Sequence, residues 1–119
     1  MHRADAIVIA CIDFRFQDYI HQWLEENMNG KTYDYVGYAG STKDLETIIK
    51  QIDIAVRLHQ VKQVIVIHHE ECGAYGAAST PEKHAQDMNK TKMRILSSYP
   101  DLRVERYYLH LDGEFERLK

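Results

Sequence analysis

The sequence has little cysteine, little proline and no long apolar run. Two cysteines, Cys11 and Cys72, in 119 residues are too few for the disulfide framework on which small secreted domains rely. They read as reduced thiols of a cytoplasmic protein, with metal binding and catalysis as the uses to examine. Nothing approaches the ~18 consecutive apolar residues of a membrane helix. The first apolar run, Ala6 to Cys11, has six residues, with Asp5 before it and Asp13 after it. That pattern also argues against a secretory leader. Positive charge is not in excess: 15 Lys and Arg stand against 18 Asp and Glu, a net charge of −3. That balance argues against a generally basic nucleic-acid-binding surface, though not against a local patch. Two prolines and six glycines leave no linker or low-complexity tract, and no internal repeat is visible. With 45% hydrophobic and 28% charged residues, the chain reads as one folded domain over residues 1–119.

The apolar pattern alternates between two periods. Ala6 to Cys11 is continuous and suits a strand buried on both faces. Phe16, Tyr19, Ile20, Trp23, Leu24 and Met28 then fall at helical spacing, and Asn29-Gly30 supplies a stop. Thr32 to Val36 is a weaker strand. Tyr38-Ala39-Gly40-Ser41 reads as a loop, with Ser41 as N-cap of a helix carrying Leu45, Ile48, Ile49, Ile52, Ala55 and Val56. Val61 to Ile67 is another buried strand. A third helix begins at Thr80-Pro81 and ends before Pro100, with Met88 and Met93 expected on its packed face. Arg103 to Leu111 is the next strand, and Asp112-Gly113 turns it back into Phe115 to Leu118. The order βαβαβαββ predicts an α/β domain: a mainly parallel sheet with helices on both faces and a short antiparallel strand at its end.

Two segments collect chemistry, and both follow a buried strand. One is Cys11-Ile12-Asp13-Phe14-Arg15; the other is His68-His69-Glu70-Glu71-Cys72-Gly73. In open α/β sheets ligands bind beyond the carboxyl ends of strands, at the point where strand order reverses. If the first and third strands are neighbours, the two segments meet there. Two thiols and an imidazole are the donors zinc prefers. His69-x-x-Cys72 lets one tight turn offer two groups, although His68 is also within reach of that geometry. Three ligands leave one tetrahedral position open, as in catalytic rather than structural zinc sites. Asp13 has two possible uses there, as acceptor from a metal-bound water or as the fourth ligand. Arg15 would hold Asp13 ionised through its planar fork. The remaining histidines, His2, His21, His59, His84 and His110, read as solvated or half-buried positions. Neither a Cys-x5-Arg phosphatase loop nor a dinucleotide-binding glycine fingerprint is present, since Gln17 stands where the former needs arginine.

The combination of Cys11-x-Asp13-x-Arg15 with His69-x-x-Cys72-Gly73 resembles the paired zinc motifs of the β-class carbonic anhydrases. Tyr38-Ala39-Gly40-Ser41, Ile65-Val66-Ile67-His68-His69 and Leu111-Asp112-Gly113-Glu114-Phe115 resemble further segments of that family, in order along nearly the whole chain. The resemblance implies a sheet of order 2-1-3-4 with a fifth, antiparallel strand. It implies one Zn2+ per chain on Cys11, His69 and Cys72. It implies hydration of carbon dioxide to bicarbonate by zinc-bound hydroxide, with Asp13 and Arg15 as the dyad that orients it. It also implies a homodimer or higher homo-oligomer. The chain departs from the family in several places: its first strand begins without the preceding helices and the pocket glutamine they contribute, Phe14 stands where serine is common, Gly37-Tyr38 replaces an Arg-Asn pair before the Ala-Gly loop, and His68 replaces a common glycine. Two other functions stay open beside this lyase: a non-catalytic zinc-binding module, and hydrolysis of a related small substrate such as carbonyl sulfide. A third is a thiol redox or metal-sensing protein that uses Cys11 and Cys72 without tightly held metal.

Overall fold

The structure is a computed structural model that describes residues 2–119. Its elements in chain order are β1 (Ala6–Ala10), α1 (Gln17–Asn27), β2 (Tyr33–Gly37), α2 (Leu45–His59), β3 (Gln63–His69), α3 (Pro81–Ser98), β4 (Arg103–Leu109) and β5 (Phe115–Arg117). Short 3-10 turns at Phe14–Phe16 and Gly76–Ala78 precede α1 and α3. The five strands form one sheet of order β2-β1-β3-β4-β5, parallel except for β5. This is the expected architecture.

Strand alternation sorts the apolar residues onto two faces. Ala6, Val8, Ala10, Ile65, Ile67 and Leu109 face α1 and meet its stripe Phe16, Ile20, Leu24 and Met28. Ile7, Ile9, Val64, Val66 and Tyr108 face the other way, against Ile48, Ile52 and Ala55 of α2 and Met88 and Ile95 of α3. The result is three layers with a core on each side of the sheet. Each large side chain in these cores stabilises the fold by about 1.5–3 kcal/mol through burial.

The helix ends follow local chemistry, with one exception. Thr80 caps α3, its side chain accepting the Lys83 N–H at 3.1 Å, and Pro81 opens the helix. Ser41 does not cap α2. It is buried in a left-handed turn at φ 57°, and Asp44 takes the position before the helix. Met93 is also not packed; it is 66% exposed, because the buried stripe of α3 runs through His84, Met88, Thr91 and Ile95. The β4–β5 hairpin depends on Gly113. Its φ of 91° favours glycine, and a Cβ there would lie 2.5 Å from the Tyr19 ring. No helix among the described residues is long and apolar enough to cross a membrane.

Candidate metal centre

The order β2-β1-β3 puts the carboxyl ends of β1 and β3 side by side. Cys11 follows the last residue of β1 and His69 is the last residue of β3. A turn through Glu71, left-handed at φ 55°, brings Cys72 back beneath them. The ligand atoms of Cys11, His69 and Cys72 all lie within 4.8 Å of one another, and all three residues are buried. The two sulfurs are 4.0 Å apart. Two sulfurs on one tetrahedral zinc, each about 2.3 Å from it, stand about 3.8 Å apart. The sulfur spacing therefore suits a zinc ion, with His69 as the third donor of the set.

His69 is the residue that distinguishes a ligand cluster from a packed core. Its Nδ1 lies 2.7 Å from the Glu70 carbonyl, which can only accept, so Nδ1 carries the proton. That leaves a lone pair on Nε2. Among the described residues, His69 Nε2 is one of two buried side-chain polar atoms without a hydrogen-bond partner. A buried acceptor left unmet costs about 1–3 kcal/mol. Asp13 Oδ2 lies 3.9 Å from His69 Nε2. The His69 ring is held flat against Phe16, centroids 4.2 Å apart.

Alternation along β3 sends the two histidines to opposite faces. His69 shares the α1 face with Ile65 and Ile67. His68 points through the opposite face, where its Nε2 lies 2.7 Å from Thr42 Oγ1. It has no access to the sulfurs and does not belong to the ligand group. Another expectation fails nearby. His84 is not solvated or half-buried but completely enclosed, packed against His68.

The thiols are electrostatically unequal. Cys11 is pushed well below the usual thiol range, chiefly because the Cys72 thiol donates to it, with the Gly40 and Asp13 amides adding to this. Cys72 is pushed up, since it holds the shared proton and is buried. The Gly40 N–H donates to Cys11 Sγ at 3.4 Å. Gly40 is suited to that approach: its φ is 81°, and a Cβ would meet Ala74 Cβ at 3.2 Å.

Asp13 and Arg15 line the open side. Arg15 donates from Nη2 to Asp13 Oδ2 at 2.8 Å and from Nε to Oδ1 at 3.1 Å, a two-pronged pair. The guanidinium holds the Asp13 carboxyl below its ordinary value. Arg15 also reaches across to the other turn, donating to the Glu71 carbonyl at 3.0 Å and its carboxylate at 3.3 Å. Gln17 fixes the turn from behind. Its amide donates to the carbonyls of Cys11 at 3.0 Å and Asp13 at 2.8 Å, and its oxygen accepts the Tyr35 hydroxyl at 3.1 Å. Sequence reasoning missed Gln17, which stands in no spaced motif, and the Glu71 bridge, because a position inside His69-x-x-Cys72 does not reveal its partner across the site.

The chain matches the family described as "Putative carbonic anhydrase" over residues 1–119. It belongs to that family. An uncharacterized protein of Rickettsia bellii is 30% identical, over 99% of this chain and 84% of its own length. A second, from Rickettsia conorii, is 29% identical over 99% and 74%. Among solved structures, the fold is similar to the carbonic anhydrase of Streptococcus mutans (TM-score 0.73, 14% identity, 99% of this chain and 83% of that one). It is also similar to the carbonic anhydrase of Glaciozyma antarctica (TM-score 0.68, 15% identity, 98% and 83%). A tetrameric β-carbonic anhydrase of Sordaria macrospora matches at TM-score 0.64 with 17% identity, covering 99% and 82%. At these identities the structural matches establish the carbonic anhydrase-like fold.

Proposed function

We propose that the chain is a zinc lyase that hydrates carbon dioxide to bicarbonate. The observation that carries this reading is the unpartnered His69 Nε2 buried beside two sulfurs. Cys11, His69 and Cys72 would hold one zinc, the cysteines as thiolates whose charge offsets that of the metal. When bound, zinc supplies the Lewis acidity that makes water a nucleophile near neutral pH.

The chain's own residues do the rest. Asp13 Oδ2 accepts the proton of the reacting water in a hydrogen bond and leaves its lone pair free for the substrate carbon. Arg15 keeps Asp13 ionised and oriented. The Gln17 amide fixes the backbone from Cys11 to Asp13, so the carboxylate keeps its place relative to the ligands. Hydration releases one proton for each bicarbonate formed, and Asp13 is the first group placed to pass it outward. If Asp13 itself takes the fourth position, activity near neutrality is low.

The chain works as a cytoplasmic homodimer in this reading. Edge strand β2 shows Tyr33 and Tyr35 to solvent, and Ile12 and Phe14 beside the site are 60% and 85% exposed. Such apolar surface at a sheet edge calls for a cover. A monomer mass by sedimentation at micromolar concentration contradicts the dimer.

A stopped-flow hydration assay tests the activity on zinc-loaded protein from about pH 6.5 to about 9. Weak to moderate turnover, rising with pH, is expected. Asp13→Asn should keep its zinc and lose about 10-fold or more in rate. Rates equal to buffer throughout leave a zinc-binding module without catalysis. Turnover of carbonyl sulfide with none of carbon dioxide changes the substrate but not the site.

A further inference from the structure

A buried polar chain runs behind the ligand cluster, on the sheet face opposite His69. Thr91 Oγ1 lies 3.0 Å from Thr42 Oγ1. Thr42 Oγ1 lies 2.7 Å from His68 Nε2, and the Thr42 N–H is directed at the same nitrogen at 3.4 Å. His68 Nδ1 lies 2.8 Å from His84 Nδ1. His84 Nε2 lies 2.9 Å from Ser79 Oγ, which also accepts the Cys72 N–H at 3.0 Å.

The partners dictate the proton positions. A backbone N–H can only donate, so His68 Nε2 accepts and the ring proton sits on Nδ1. That N–H donates to His84 Nδ1, which places the His84 proton on Nε2, facing Ser79. Each neutral imidazole thus uses its one donor and its one acceptor. Burial holds both rings neutral, His68 down to about 3 and His84 to about 4.

The chain ends on the two segments that carry sulfur contacts. Thr42 lies two residues after Gly40, whose N–H donates to Cys11 Sγ. Ser79 holds the amide of Cys72 itself. The imidazole pair is the link between them, and α3 supports it from Thr91 and His84.

We propose that His68 and His84 are positioning residues that, through Thr42 and Ser79, set the spacing of the Cys11 and Cys72 turns and with it the metal affinity of the site. The affinity part rests on the zinc reading above; the spacing part does not. Neither histidine touches metal or substrate.

The test uses His84→Leu, Ser79→Ala and the conservative Ser79→Thr, each in the full chain. Zinc affinity is read by competition with a chromophoric chelator. His84→Leu and Ser79→Ala should bind zinc about 10-fold or more weakly, the loss expected when a group supporting a ligand is removed. Ser79→Thr keeps the hydroxyl and should restore affinity. In the cobalt-loaded proteins the thiolate-to-metal absorption should shift in the first two variants and return in the third. Amide hydrogen exchange of the metal-free proteins gives a reading that needs no metal. His84→Leu should speed exchange at Cys72 and Gly40 while Leu24 in α1 stays protected. Unchanged exchange at both amides overturns the proposal, whatever the metal result. Wild-type zinc affinity retained by folded Ser79→Ala and His84→Leu overturns it too. Absence of zinc binding by the wild type counts against the zinc reading and the affinity part, and exchange still decides the spacing part. If His84→Leu fails to fold, the Ser79→Ala and Ser79→Thr pair carries both readings.

Discussion

The turns that bring Cys11 and Cys72 together are held in different ways. The Cys11 turn is ionic and open: the side chains of Asp13 and Arg15 are 16% and 40% exposed, and their pairing is two-pronged. The Cys72 turn is backed by neutral groups with no access to water, His68 and His84. Solvent weakens the first kind of contact, so it leaves freedom to move. A buried polar chain is unforgiving, because losing one member strands its neighbours. The molecule therefore carries its ion pair on an adjustable wall and Cys72 on a stiff one. Arg15 joins the two walls through Glu71.

The largest expected effect comes from removing a ligand. Cys72→Ser should lose most of its zinc in chelator competition while the far-ultraviolet circular dichroism keeps its shape, because the two cores lie elsewhere. Full retention of zinc would remove Cys72 from the ligand set. A smaller effect separates the walls. Arg15→Lys replaces a fork by a point charge, so Asp13 loses its second prong. The rate should fall about 10-fold with zinc content unchanged. A fall in zinc content instead would show that the open wall also anchors the metal.

The smallest effect concerns acid. Burial lowers the His84 pKa from its ordinary 6.5 to about 4. Between those values the unfolded chain binds a proton that the folded chain refuses, so stability falls as pH falls. The slope from this one group is at most about 1.4 kcal/mol per pH unit. His84→Gln has no such proton, and the stability advantage of wild type over it should shrink from pH ~7 to pH ~5 in urea unfolding of the metal-free proteins. A constant gap would mean that the Cys72 wall is not held by a neutral imidazole.

Much of this was legible from spacing. The apolar runs before Cys11 and His69 are continuous, so both motifs fall at strand ends, and the alternation of periods gives the layers. The 2-1-3-4 order came from the resemblance, and the observed sheet agrees with it. Spacing alone left both His68 and His69 within reach, the resemblance pointed to His69, and strand parity puts the two on opposite faces once β3 is known to continue to His69, paired with Leu109. His84 stands in no motif, so its burial shows only in the helical spacing. The spacing His84, Met88, Thr91, Ile95 marks a buried helical stripe and carried the signal. Ser41 looked like a cap because serine with an acid three residues on is common at helix starts. Here the left-handed turn at Ser41 delays the helix to Leu45. Gln17 had no signal at all, since its role depends on carbonyls that only the folded turn brings together.

The metal content of the purified chain tests the central claim most directly. Elemental analysis after gel filtration, with thiol titration of the same sample, should give close to one zinc per chain and no disulfide. A chain without stoichiometric metal, with Cys11 and Cys72 oxidised to one another, would contradict the account and leave a redox dithiol in its place.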